Sequence, residues 1–183
     1  MKIFFIVLAI VVLIAIYVVS VYNKLVNARN KVENQFSQID IQLKKRYDLI
    51  PNLVETVKGY AKHEKETLEG VIEARNKAVT ANSINEKVDA ENQITGALNK
   101  LFALSEAYPE LKANENFLQL QGDLKDCEEK ISFARQFYND TVLSYMNKIE
   151  MFPSNIIASM FNFKKADYFE AGEEAKTAPK VSF

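Results

Sequence analysis

The sequence predicts an all-α protein: an N-terminal transmembrane helix followed by an antiparallel bundle of about four long helices. An uninterrupted apolar stretch opens the chain, and apolar residues then recur at alternating steps of three and four. Glycine and proline are scarce and Trp is absent, while Ala, Leu, Glu, Lys, Gln and Asn dominate. This composition favours helix, and no stretch alternates like a strand.

The opening element is Ile3 to Tyr22, which carries no charge and one hydroxyl, Ser20. A helix rises about 1.5 Å per residue and a bilayer core is roughly 30 Å thick, so about 20 apolar residues cross it. A cleaved secretory signal would have an apolar core of only about 7–15 residues, ending in small residues. Here the stretch is longer and Val18-Val19-Ser20 is a poor cleavage site, so an uncleaved anchor is expected. No cysteine lies nearby to take a lipid. Tyr17 and Tyr22 fall where an interfacial aromatic belt would lie. Lys2 and the α-amino group flank one end. Lys24, Arg29 and Lys31 flank the other, with Lys44, Lys45 and Arg46 further on. That balance leans toward a cytoplasmic bundle by a small margin, so sidedness stays open. The expected location is the cell (inner) membrane, spanned once.

The next helix, 24–47, carries one apolar row of Leu25, Val32 and Ile39 and a second of Phe36, Leu43 and Ile50. No breaker separates it from the anchor between Tyr22 and Lys31. Pro51 is either a first-turn proline or a kink; the first choice starts a helix 49–81 on Leu53, Val57, Tyr60, Val71, Ala74 and Ala78. Asn82-Ser83 is a turn, with Ser83 as N-cap and Glu86 completing a capping box. Helix 84–107 follows on Val88, Ile94, Leu98, Leu101 and Leu104. Tyr108-Pro109 opens helix 110–152, whose Leu124, Ile131, Tyr138, Tyr145 and Phe152 lie seven apart with Ala134, Val142 and Ile149 beside them. A sustained seven-residue repeat implies near-parallel or antiparallel helices packed as in coiled coils. Phe152-Pro153-Ser154 ends this helix before a short aromatic segment. The expected divisions are anchor 1–22, bundle 23–171 and a disordered tail 172–183.

The residues supply little chemistry. Charges are interspersed and net charge is −1, so there is no basic footprint for nucleic acid. His63, the only histidine, sits in Lys62-His63-Glu64-Lys65-Glu66 and reads as a solvated helix face, since a metal needs three or four convergent ligands. Cys127 is a lone cysteine at seam spacing, read as a small buried hydrophobe, with acidic neighbours that disfavour its thiolate. Gly59 and Gly70 read as points of close helix approach. There is no phosphate loop, nucleophile elbow or HExxH. No catalytic residue, metal ligand or cofactor is therefore expected. Two groups form a candidate interaction surface. Asp40, Arg46, Asp48 and Asn52 surround the Pro51 break, as a polar contact or as a capping and ion-pair network that fixes the bend. Phe161, Phe163, Tyr168 and Phe169 follow Ile156, Ile157 and Met160 and are interleaved with Lys164 and Lys165. That segment suits a membrane interface, a cap on the open end of the bundle, or a contact with a neighbouring subunit.

The segment Ser37-Gln38-Ile39-Asp40-Ile41-Gln42-Leu43-Lys44-Lys45-Arg46, continuing through Asp48-Leu49-Ile50-Pro51-Asn52-Leu53-Val54 to Lys58-Gly59-Tyr60-Ala61-Lys62-His63-Glu64, resembles the hallmark of the LemA family. Tyr22-Asn23-Lys24-Leu25-Val26, Glu106-Ala107-Tyr108-Pro109, Ala134-Arg135 to Tyr138-Asn139, and Phe152-Pro153 to Tyr168-Phe169 resemble it further. Phe36 stands where the family often has Trp, and Asn162 where it usually has Gly between two phenylalanines. The resemblance implies a membrane anchor, an antiparallel helical bundle and no established enzymatic activity. One branch resembles proteins needed for building magnetosome membranes. The expected function is a non-enzymatic scaffold that self-assembles on, and organises or shapes, a bacterial membrane. The alternative is an accessory subunit of a membrane protease or envelope-stress system. The expected partners are the lipid bilayer, further copies of the chain and a membrane protein.

Overall fold

A computed structural model of the chain describes residues 1–169; the expected tail from Gly172 lies outside them. Six helices occupy the described residues: α1 Lys2–Tyr60, α2 Lys65–Thr80, α3 Ile84–Ser105, α4 Pro109–Lys112, α5 Glu115–Glu150 and α6 Ser154–Met160. There is no strand among those residues, so the all-α class holds.

Helix α1 is 59 residues long and joins the apolar opening to the first bundle helix without a break. Its N-terminal portion is long and apolar enough to cross a membrane, and none of that apolar window is buried against protein. The boundary expected at 47–49 does not exist, because Pro51 lies inside α1. Proline has no N–H, so the Tyr47 carbonyl one turn back loses its usual donor. Arg75 Nε, on α2, donates to that carbonyl at 3.3 Å. A neighbouring side chain thus replaces the missing helical bond, and the helix continues. Arg75→Met should cost about 1–3 kcal/mol in chemical unfolding, the cost of an orphaned carbonyl. In a Pro51→Ala background, where residue 51 has its own N–H, the cost should be clearly smaller. Equal costs in both backgrounds would show that Arg75 acts some other way.

The corner that follows falls at 61–64 and has no sequence breaker to mark it, so the expected helix 49–81 is divided between α1 and α2. His63 is exposed in that turn rather than on a helix face. The expected capping box opens α3. Ser83 Oγ accepts from the Glu86 N–H at 3.2 Å, while Glu86 Oε2 accepts from the N–H groups of Ser83 at 3.1 Å and Asn82 at 2.9 Å. Those backbone donors hold the Glu86 carboxyl below its ordinary range. Pro109 takes the first helical position of α4. The expected helix 110–152 is interrupted by Asn114, whose Oδ1 accepts from the Phe117 N–H at 2.9 Å and caps α5. Gly59 and Gly70 have open space where a Cβ would stand, so neither marks a close approach.

The chain divides into two units. The first comprises Met1–Ser37 and Gln136–Tyr168. Its core includes Leu25, Val32, Tyr138, Val142, Tyr145 and Ile157. The second comprises Gln38–Arg135 with Phe169, and buries Ile39, Ile50, Leu53, Val57, Val71, Ile94, Leu101, Leu124 and Ile131. The seven-residue row on α5 is buried from Leu124 through Tyr145, but Phe152, beyond the helix end, is exposed.

In the first unit two tyrosines of that row hold the segment after α6. Tyr138 donates to the Asp167 carbonyl at 2.8 Å and Tyr145 to the Lys164 carbonyl at 2.7 Å. Helix α6 ends with Asn162 at φ 55, with the Phe163 N–H on the Ala158 carbonyl at 2.9 Å and the Asn162 N–H on the Ser159 carbonyl at 3.2 Å. This Schellman motif needs a left-handed residue at its turn. Glycine suits that position best, and Asn is among the few side chains that tolerate it.

Candidate functional site

Polar chemistry in the second unit converges on Arg46. On α1 it stands three residues after Leu43 and four before Ile50, a spacing that directs it inward with them, and it is 3 % exposed. Its Nη1 lies 2.7 Å from Glu91 Oε2 and 2.8 Å from Glu128 Oε2. Its Nη2 donates to Thr95 Oγ1 at 2.9 Å. Glu91, on α3 and 1 % exposed, accepts a second bond at Oε1 from the Tyr47 hydroxyl at 2.6 Å. Burial, with the Glu91 charge second, pushes the Tyr47 phenol above its ordinary pKa, so it stays protonated and remains a donor. Arg135 on α5 stands near the same charges. Burial draws its guanidinium below the ordinary value, while Glu91 and Glu128 pull it back up. The face of the Phe169 ring covers Arg135 at 4.7 Å from its guanidinium carbon, a cation–π contact.

Two arginines and two glutamates thus balance each other and join α1, α3 and α5. Buried charges persist only when paired and hydrogen-bonded. The arrangement can fix which faces of the three helices meet. The pairing is incomplete, since Arg46 Nε and Arg135 Nε are buried without a hydrogen-bond partner. Cys127, fully buried, has its thiol pushed up mainly by burial, with Asp123 adding to it against Lys45, Lys130 and Arg46; the sequence-adjacent acids are not the principal cause. A hollow of about 690 Å³ in the same unit has an apolar floor of Pro51, Val54, Leu68 and Ile72. Its rim charges form exposed pairs, Lys58 with Glu55 at 3.2 Å and Lys65 with Glu69 at 3.5 Å. Among the described residues no three His, Cys, Asp or Glu side chains are grouped to hold a metal ion.

Of the eight residues proposed from sequence as an interaction surface, Asp40, Arg46, Asp48, Asn52 and Phe169 belong to the second unit and Phe161, Phe163 and Tyr168 to the first. Arg46 and Phe169 are buried and so do not belong to a surface. Asp40 pairs with Lys87, and Asp48 with Lys44 one turn away at 3.2 Å, while Asn52 is exposed. None of them caps a helix at Pro51, since α1 passes through. Phe161 and Phe163 both touch Tyr22, with ring centroids at 4.7 and 5.8 Å, and Phe163 also lies 5.8 Å from the Arg29 guanidinium. Tyr168 is half-buried in the extended segment. Sequence reasoning missed Glu91, Thr95 and Glu128. A signal existed: Glu91 stands three residues from both Val88 and Ile94, and Glu128 three before Ile131, so each acid falls on an apolar seam.

A family model described as the LemA family matches residues 35–183. The chain is 30% identical over 155 residues to Protein LemA of Metamycoplasma hominis, a match covering 82% of this chain and 69% of that protein. It is 22% identical over 189 residues to Magnetosome protein MamQ of Magnetospirillum gryphiswaldense, covering 87% of this chain and 70% of that one. It is 28% identical over 95 residues to Magnetosome protein MamQ 2 of Paramagnetospirillum magneticum. That match covers 50% of this chain and 35% of the relative's length.

Proposed function

The chain belongs to the LemA family, and on that premise we propose that it is a membrane-anchored, non-enzymatic helical scaffold that self-assembles on a bacterial membrane and organises or shapes it. The observation that carries this reading is the continuity of α1. An apolar window with 0% of its residues buried runs into a helix that ends only at Tyr60. A continuous helix has no hinge, so the helical turns that follow the membrane hold a set orientation to it. Copies anchored this way present the same faces to their neighbours.

Both units also leave large apolar side chains exposed beyond the apolar opening. They include Phe137 and Leu143 in the first and Ile41, Val79, Leu118 and Phe133 in the second. Exposed apolar surface is a common material of protein contacts. A net charge of −1 opposes close self-packing little. Three relatives are named as magnetosome proteins, and that name supports a membrane association here.

The test is the particle size of the full-length protein in native nanodiscs, by electron microscopy beside light scattering. Regular many-copy particles are expected, and Phe137→Glu should shrink them. Uniform monomers at native membrane density would sink self-assembly. They would favour the accessory-subunit reading, in which mild crosslinking should capture a stoichiometric membrane partner.

A further inference from the structure

The first unit places two features at the depth where the apolar opening of α1 ends. The Phe161 ring lies against Tyr22, at 4.7 Å between centroids. The second feature comes from α5, which runs antiparallel to α1 in this unit. The Tyr138 ring meets the Phe36 ring at 5.7 Å. From Phe36 back to Tyr22 is fourteen residues, and from Tyr138 on to Phe152 is also fourteen. At about 1.5 Å per residue both paths descend roughly 20 Å, so Phe152 arrives level with Tyr22. Helix α6 starts at the same level, since Ser154 shares a hollow with Val21, Leu25 and Ala28.

At that level the surface is apolar. Phe152 is 79 % exposed and Met160 is 70 % exposed, with Met151 and Ile156 exposed beside them, although Ile157 and Ala158 turn inward. Basic side chains lie near this patch, although Lys165 is paired with Glu150 at 2.6 Å. Lys24, Lys31 and Lys148 line the hollow of about 340 Å³ that Ser154 also lines, and Lys164 and Lys165 follow α6. Aromatic and apolar tips with lysines nearby are the composition that settles among lipid headgroups.

We propose that the α5–α6 corner, through Met151, Phe152, Ile156 and Met160, inserts into the headgroup layer of the same membrane that α1 crosses, giving the bundle a second point of attachment. The occupant of this face is lipid because the face is continuous with the end of the membrane span through Tyr22 and Phe161. The proposal rests on the reading of α1 as a membrane helix. With two attachments the first unit cannot rotate about its anchor.

The chain has no tryptophan, so a single introduced one reports its own surroundings. Full-length Phe152→Trp and Met160→Trp would each be reconstituted at high dilution in vesicles of phosphatidylcholine with phosphatidylglycerol. Emission would be compared with and without brominated acyl chains. Val12→Trp reports the span, and Phe137→Trp, roughly 20 Å up α5, reports water. The expected result is blue-shifted emission at positions 152 and 160, quenched several-fold more than at 137 and less than at 12. Quenching at 12 but not at 152 or 160 overturns the corner's insertion and leaves the anchor standing. No quenching at 12 overturns the anchor itself. A blue shift at 152 that bromine leaves untouched means that protein covers the face, and also overturns the proposal.

Discussion

Arg46→Ala should destabilise the full-length protein by roughly 3–5 kcal/mol, because it leaves Glu91 charged and sealed from water. In a chain of this size that lowers the thermal midpoint by about 10 °C. Glu91 is 1 % exposed; its remaining hydrogen-bond partner is the Tyr47 hydroxyl, and of the two arginines only Arg135, which makes no ion pair with it, is left to offset its charge. Glu128 fares better, since its side chain is 46% exposed and water can replace Arg46. The loss should therefore be traceable to Glu91. Arg46→Met combined with Glu91→Leu removes both charges and restores apolar packing, and it should recover most of the stability. Differential scanning fluorimetry of the two variants in detergent decides the matter. If the double variant melts no higher than Arg46→Ala, the arginine contributes through Thr95, Glu128 or Arg135 and not mainly through Glu91.

The same contacts explain what the sequence could and could not reveal. Rows of apolar residues three and four apart told which faces are buried, and Leu25, Ile39, Leu43, Ile50 and Ile131 all proved to be core. The capping box at Ser83 was legible because both halves of its chemistry lie within four residues. The sequence left Pro51 open between a helix start and a kink within one helix, because the answering donor, Arg75, lies 28 positions away. Arg46 stayed open between a contact surface and an ion-pair network for the same reason, as its partner Glu91 is 45 positions distant. Local bonds announce themselves in sequence, whereas a buried polar residue looks like a surface one until its distant partner is found. The rule that recovers it is positional: a charged residue on an apolar seam implies an opposite charge on the seam it faces. Arg46, Glu91 and Glu128 all obey it.

Continuity of α1 matters for more than length. A proline in the interior of a helix ordinarily bends or ends it. The chain retains Pro51 and supplies the missing donor from α2, so α1 runs on past the proline to Tyr60. Rigidity at one anchor leaves rotation about its own axis free. A second contact at the corner after α5 would remove that freedom. The scaffold proposed above would need every copy held in one orientation before lateral contacts could repeat.

Tyr145→Ala should be the most damaging change in the first unit, at roughly 3–5 kcal/mol, because it empties the space of a fully packed ring. The ring is 2% exposed, and its hydroxyl also holds the Lys164 carbonyl at 2.7 Å. Tyr145→Phe separates these two roles, since it keeps the packing and leaves the carbonyl without its donor, at about 1–3 kcal/mol. Hydrogen exchange of full-length protein in vesicles would show where each effect falls. With Tyr145→Ala, protection should drop through α5 and α6 together. With Tyr145→Phe it should drop mainly at Phe161 to Phe163, whose N–H groups close the end of α6. The segment that Tyr145 holds also carries Phe161 and Phe163 against Tyr22, so the Phe variant should weaken lipid quenching at Met160→Trp while leaving Val12→Trp unchanged. If Tyr145→Phe changes neither exchange nor quenching, the stacking on Tyr22 and the Tyr138 bond to Asp167 hold the segment without it. The Tyr145 hydroxyl would then serve only to satisfy the Lys164 carbonyl.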